Sequence, residues 1–223
     1  MQDPLSSLPL ARGIDVSKSQ GTVSWPAVKG AGYVFAYVKA TDGETYVDPT
    51  FPQNWTGAAS AGLLRGAYHF FRAEDSPQAQ AEFFWKTVGE NGDLPLVVDV
   101  EQNMGEPTPT LLSNLTQLLE QLQQLSGRRP MIYTDPGFWN GLSANNSASN
   151  FGDFPLWVAD YPPAGVFTPT VPVGWTSWDF WQYYGPLSTA TDYVQVPGVG
   201  CPVDLDVFNG SAASLLQWAQ KES

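Results

Sequence analysis

Short, nearly continuous apolar runs alternate along the chain with longer stretches in which apolar residues recur at helical spacing. Eight of these runs, residues 12–16, 33–39, 64–70, 95–101, 130–134, 155–159, 180–184 and 203–208, read as β-strands. Several consist almost wholly of Val, Leu, Ile and aromatic residues, as in strands covered on both faces. Ser76-Pro77 pairs an N-cap residue with proline at the first helical position and opens a helix that runs to Val88. Thr108-Pro109 repeats the device. After it, Leu111, Leu112, Leu115, Leu118, Leu119, Leu122 and Leu125 form one apolar stripe, which Gly127 closes. Ser24-Trp25-Pro26 and Ser211 open two shorter helices. Strand and helix alternate to about Thr134, which implies right-handed parallel units. From 135 to 200 Pro, Gly, Ser, Thr and Asn dominate, and helical periodicity is scarce. The predicted class is α/β: an irregular TIM-like β/α barrel, with about five βα units followed by three strands with few helices.

Composition narrows the chemistry. The 223 residues carry 10 Lys and Arg against 22 Asp and Glu, a net charge of −12. That argues against a nucleic-acid partner, which requires a basic footprint, and against charge-driven docking on an anionic membrane. No apolar run approaches the roughly 20 residues that span a bilayer. A single cysteine, Cys201, leaves no intrachain disulfide and no zinc site of paired cysteines, and a single histidine, His69, leaves no His-pair metal motif. The opening residues lack the basic start and sustained apolar core of an intact signal peptide.

The sharpest local feature is Leu96-Val97-Val98-Asp99-Val100-Glu101, where two acids end an apolar strand. Residues at i and i+2 share a strand face, so Asp99 and Glu101 point the same way with Cα atoms roughly 6.5–7 Å apart. A solvated strand end or a helix cap explains such a pair without function. In β/α barrels, however, the C-terminal strand ends form the active face. Two close carboxyls push one pKa up, and an acid kept protonated near neutrality suits general-acid chemistry such as glycoside hydrolysis. Asp15 ends the first strand, and Asp204 and Asp206 repeat the i, i+2 pairing on the last. First and last strands adjoin in a closed barrel, so these acids can meet. Residue type alone leaves a divalent cation site equally open.

Tyr37, Tyr68, Phe70, Tyr133, Trp157, Tyr161, Trp181 and Tyr183 lie near predicted strand ends, either as core or as the walls of a sugar-binding cleft. Lys39 ends a strand, as a solvated tip or as a partner for the carboxylates. His69, among aromatics, reads as a hydrogen-bonded structural residue. Sequons begin at Asn54, Asn114, Asn145 and Asn209.

From about Arg12 to Gly210 the chain resembles glycoside hydrolase family 25, the Chalaropsis-type lysozymes or N-acetylmuramidases. The landmarks are, in order, Gly13-Ile14-Asp15-Val16-Ser17, Tyr37-Val38-Lys39-Ala40-Thr41-Asp42-Gly43, Tyr46-Val47-Asp48-Pro49-Thr50-Phe51, Gly66-Ala67-Tyr68-His69-Phe70, Asp99-Val100-Glu101, Ile132-Tyr133-Thr134, Leu156-Trp157-Val158-Ala159, Trp181-Gln182-Tyr183 and Val203-Asp204-Leu205.

The resemblance implies a peptidoglycan hydrolase that cleaves the β-1,4 bond between N-acetylmuramic acid and N-acetylglucosamine with net retention. By position Glu101 would be the general acid. Asp99 would orient the 2-acetamido group or stabilise positive charge, with direct attack by Asp99 left open as the alternative to the substrate's own acetamido oxygen, and Asp15 and Asp204 would complete the acidic site. Lys39, Tyr68, Tyr133, Trp157 and Tyr183 would contact substrate, with Asp206 beside them. The family usually has Glu where Asp42 stands and often Asn where Asp206 stands, which leaves the choice between Asp204 and Asp206 open. The expected organisation is an extension, residues 1–11, followed by one catalytic barrel, residues 12–223. No cofactor or metal is expected. The expected partner is bacterial wall peptidoglycan, met outside the cell by a monomer that is secreted or released as a phage or host lysin. A catalytically silent glycan-binding barrel and a glycosidase of chitin-like polymers are the competing readings. Crowded carboxyls predict an acidic activity optimum.

Overall fold

The computed structural model describes residues 3–142, 149–163, 165–185 and 193–221. The strands are β1 (Ala11–Val16), β2 (Phe35–Asp42), β3 (Tyr46–Val47), β4 (Leu64–Phe70), β5 (Val97–Asp99), β6 (Met131–Thr134), β7 (Leu156–Ala159), β8 (Phe180–Tyr184) and β9 (Asp204–Phe208). The helices are α1 (Trp25–Gly30), α2 (Phe51–Ser60), α3 (Pro77–Val88), α4 (Thr108–Ser126), α5 (Pro136–Leu142) and α6 (Ala212–Lys221). The sheet runs β1-β9-β8-β7-β6-β5-β4-β2, a β1–β2 pairing closes it, and β3 hangs on β2 as a short hairpin. All eight predicted strands are barrel staves.

Two features depart from the expected pattern. Strand β9 is antiparallel to both β8 and β1, whereas the other staves pair in parallel. No helix joins β8 to β9 among the described residues, so the right-handed crossover that enforces parallel pairing is missing there. Helix α5 falls in the stretch expected to be loop. Its cap is local, with Asp135 Oδ1 accepting from Phe138 N at 2.9 Å.

Strand parity separates two cores. Even positions of β2, Ala36, Val38 and Ala40, face the helices, as do Val98, Ile132, Val158, Leu205 and the α4 leucines. Phe35 and Tyr37 point inward and fill the lower barrel with Val97, Met131, Trp157, Phe180 and Phe208. Glycine makes room for these rings. A Cβ on Gly66 would lie 2.1 Å from the Tyr37 ring, and one on Gly13 would lie 2.2 Å from the Phe35 ring. Gly66→Ala should therefore overpack the barrel and cost about 2–3 kcal/mol, lowering the melting temperature by roughly 5–10 °C. An unchanged thermal melt would show that the rings yield without strain.

The caps are only partly as expected. Ser76 Oγ accepts from Ala79 N, and Gly89 and Gly127 end α3 and α4 at φ of 75° and 70°. Ser24 makes no side-chain cap bond, and Thr108 sits inside α4 rather than before it. The segment preceding β1 packs on the barrel, with Leu5 buried and Asp3 accepting from Arg12 Nη1 at 3.3 Å. Three sequon asparagines are engaged: Asn54 is buried, and Asn114 and Asn209 donate to Ala73 O and Trp178 O, each at 2.9 Å. Asn145 lies outside the described residues. No helix among the described residues is long and apolar enough to cross a membrane.

Candidate active site

The inward parity that fills the barrel with rings below delivers polar side chains above. Following Gly13, β1 presents Asp15. Following Phe35 and Tyr37, β2 presents Lys39. Following Val97, β5 presents Asp99, and the chain continues to Glu101, held by Val100 N donating to Tyr133 O at 2.8 Å. Strand β9 enters from the opposite direction, so Asp204 stands at the rim and Asp206 one layer deeper. The result is a cleft of about 270 Å3 lined by Asp15, Lys39, Tyr68, Phe70, Asp99, Glu101, Tyr133, Trp157, Tyr161, Gln182 and Asp204.

Four acids thus share one opening. Glu101 is exposed at the mouth, and Asp99 is buried beneath it. Burial is the main reason that the Asp99 carboxyl is held well above its usual range, and the Glu101 charge adds to it. Glu101 is also raised, by partial loss of water and then by Asp135, while Lys39 opposes the shift. Burial pushes Asp15 up to about 7, against hydrogen bonds from Gln182 and Asp206. Burial, then Asp15, raises Asp204 to about 8. Lys39 is the only cation lining the cleft among the described residues, and Asp42 shares it at 3.3 Å while binding Arg72 Nε at 2.6 Å.

A polar chain supports these acids. Gln182 Nε2 donates to Asp15 Oδ2 at 2.6 Å, and Gln182 Oε1 accepts from Tyr133 Oη at 2.9 Å and from Tyr161 Oη at 2.5 Å. Trp157 Nε1 donates to Asp206 Oδ1 at 3.0 Å. The Asp15 and Asp206 carboxyls face each other, and their contact lowers Asp15 and raises Asp206, which favours the proton on Asp206. The other Asp206 oxygen has no N–H or O–H donor facing it, as a carboxylic acid in a donor role requires.

Residues 14–191 match the family description glycosyl hydrolases family 25. The chain belongs to that family. Lysozyme M1 of Streptomyces globisporus is 40% identical over 226 residues, covering 93% of this chain and 71% of that protein. The N,O-diacetylmuramidase of Chalaropsis sp. is 30% identical over 188 residues, covering 77% of this chain and 86% of its own. A crystal structure of a lysozyme from Streptomyces coelicolor superposes with a TM-score of 0.84 at 37% identity, covering 97% of this chain and all of the other (100%). This family 25 protein is accordingly a glycoside hydrolase.

Not every residue expected in the family 25 cleft reaches it. Tyr183 does not line it. Parity on β8 turns Phe180 and Gln182 inward and Tyr183 outward, where its hydroxyl donates to Asp3 Oδ1 at 2.9 Å. Asp206 is fully buried below the floor and touches no substrate space; Asp204 is the rim acid. Trp157 lines the floor but is only 2% exposed, with Tyr37 stacked 4.7 Å away on its ring. The open aromatic surface is Tyr161, 54% exposed. Gln182 was not expected, although the inward parity of Phe180 marks its place. His69 lies outside the barrel, fully buried, with Nε2–H donating to Gln80 Oε1 at 3.1 Å and Nδ1 accepting from Thr41 Oγ1 at 2.8 Å. Burial lowers its pKa to about 4, so it stays neutral.

Proposed function

We propose that this muramidase hydrolyses peptidoglycan with net retention, Glu101 acting as general acid and Asp99 as its assistant. The scissile bond is the β-1,4 linkage from N-acetylmuramic acid to N-acetylglucosamine. The observation that carries the reading is the stacking of the two acids along one wall, one exposed at the mouth and one buried beneath. Glu101, the reachable acid with a raised pKa, gives its proton to the glycosidic oxygen as that bond breaks. The 2-acetamido carbonyl oxygen closes on C1 from the other face, and Asp99 accepts the acetamido N–H or faces the positive charge forming at C1. Positive charge developing next to Asp99 favours its ionised form, so the strain of a buried acid is relieved in the transition state rather than the ground state. The Glu101 carboxylate then takes a proton from the water that opens the intermediate.

Asp15 and Asp204 complete the field, and Gln182 holds Asp15 in place. Tyr161 and Tyr133 offer ring and hydroxyl to the sugar, and Lys39 and Tyr68 close the remaining walls. The reading extends to a monomer working outside the cell, where its wall polymer lies. Digestion of defined peptidoglycan, borohydride reduction and mass spectrometry test this directly. Reduced muramic acid termini are expected. Reduced glucosamine termini would reassign the bond, and the absence of new termini would favour a silent glycan-binding barrel.

A further inference from the structure

Beside the catalytic cleft, above β1, β2 and β4, lies a second and larger groove of about 420 Å3 that meets it at Lys39, a residue lining both. Its walls are unlike a sugar platform. Among the described residues the one aromatic lining it, Tyr46, has the Lys18 ammonium over its ring, 5.1 Å from the centroid. The rest is charged or polar, with Lys18, Lys39 and Arg72 set among Asp42, Glu44 and Asp75.

Most of these charges already have protein partners. Asp42 holds Lys39 and Arg72. Glu44 accepts from Ser76 N at 2.6 Å. Asp48, fully buried, accepts from Lys18 N and Thr50 N, each at 2.9 Å, and so fixes the loop that carries Lys18. The Lys18 side chain is exposed and forms no salt bridge with any described residue. Beneath it the Tyr46 hydroxyl, shielded from solvent, lacks a hydrogen bond of good geometry. The groove therefore offers an anchored, exposed cation to an anionic ligand, with the Glu44 and Asp75 carboxylates on its rim for an amine.

We infer that this groove binds the stem peptide of the muramic acid whose bond is cut. The inference rests on the muramidase reading. In that substrate the peptide hangs from the lactyl group of the very sugar whose bond is cut in the adjoining cleft, and it carries free carboxylates and, in many walls, a diamino residue. A neutral run of further sugars needs none of the charges present and would find no open ring to stack on. Lys18 takes a peptide carboxylate, and the acidic rim takes the amine.

The test compares one glycan preparation before and after an amidase has removed its peptides, assayed by release of muramic acid reducing ends. The wild type should cleave the peptide-bearing strands with kcat/KM about tenfold higher, the worth of one charge-assisted hydrogen bond. Lys18→Glu should reduce that preference to about threefold or less, with Lys18→Ala between. Equal rates on both substrates in the wild type, or a preference unchanged in Lys18→Glu, would overturn the assignment and give the groove to further sugars. Failure to release muramic acid ends from either substrate would instead remove the muramidase reading. Circular dichroism confirms folding of each variant.

Discussion

Glu101→Gln should leave a folded barrel whose wall-clearing rate is about 10²–10⁴-fold below wild type, the usual worth of a positioned general acid. The substitution keeps shape and hydrogen-bonding capacity while removing the proton that Glu101 presents to a leaving oxygen at the mouth of the cleft. The loss should fall on kcat, with KM little changed, because an interaction made only in the transition state is removed. Stability should hold or rise. Glu101 is exposed, and its charge contributes to raising the Asp99, Asp15 and Asp204 carboxyls, so an amide at this place relaxes them. Turbidity clearing and thermal melts of the two proteins, run together, separate this outcome from simple misfolding. Equal clearing by both would take Glu101 out of the acid role, and attention would move to Asp99, the more strongly raised carboxyl on the same wall.

The barrel was legible because apolar runs and capped leucine stripes report burial, which parallel staves and their helices require on both faces. Asp99 and Glu101 were legible for the same reason: acids at the end of an apolar strand need an explanation. What the pattern could not carry is direction and depth. Nothing in the run 203–208 says that β9 enters the barrel against its neighbours, and that reversal decides which of Asp204 and Asp206 reaches the rim. Tyr183 was expected in the cleft because aromatics near strand ends were weighed by type. Parity, counted from Phe180, gives the place to Gln182, a residue with no chemistry of its own that joins Tyr133, Tyr161 and Asp15. Trp157 was expected to contact substrate, but its burial under Tyr37 depends on a stacking contact between strands that no local spacing records.

Asp206→Asn should flatten the loss of stability that the wild type undergoes as pH rises. An unfolded Asp titrates near 3.8, whereas Asp15 is raised to about 7 and Asp204 to about 8 in the folded barrel. Burial, then both of those neighbours, raises Asp206 as well. Between the unfolded and folded values the native protein holds protons that the unfolded chain has released, so each step up in pH favours unfolding. The contribution of these acids is therefore whole below about pH 4 and is lost as pH rises through about 7 for Asp15, about 8 for Asp204 and the raised value of Asp206. Asparagine at 206 reproduces the neutral form of this acid: its oxygen accepts from Trp157 Nε1 and its amide N–H takes the place of the proton directed at Asp15. It keeps both bonds and deletes one titration. The expected result is a melting temperature at pH 8 raised by about 5 °C, with little change at pH 4.5 and activity within several-fold of wild type. Asp206→Leu is the contrasting variant. It leaves Trp157 Nε1 without its acceptor and Asp15 without its donor, and should cost about 2–4 kcal/mol at every pH, seen as a uniformly lower melt. A melting curve for Asp206→Asn that falls with pH as steeply as wild type, or lies below it throughout, would mean that position 206 carries its charge in the folded state, and the neutral support beneath Asp15 would have to be abandoned.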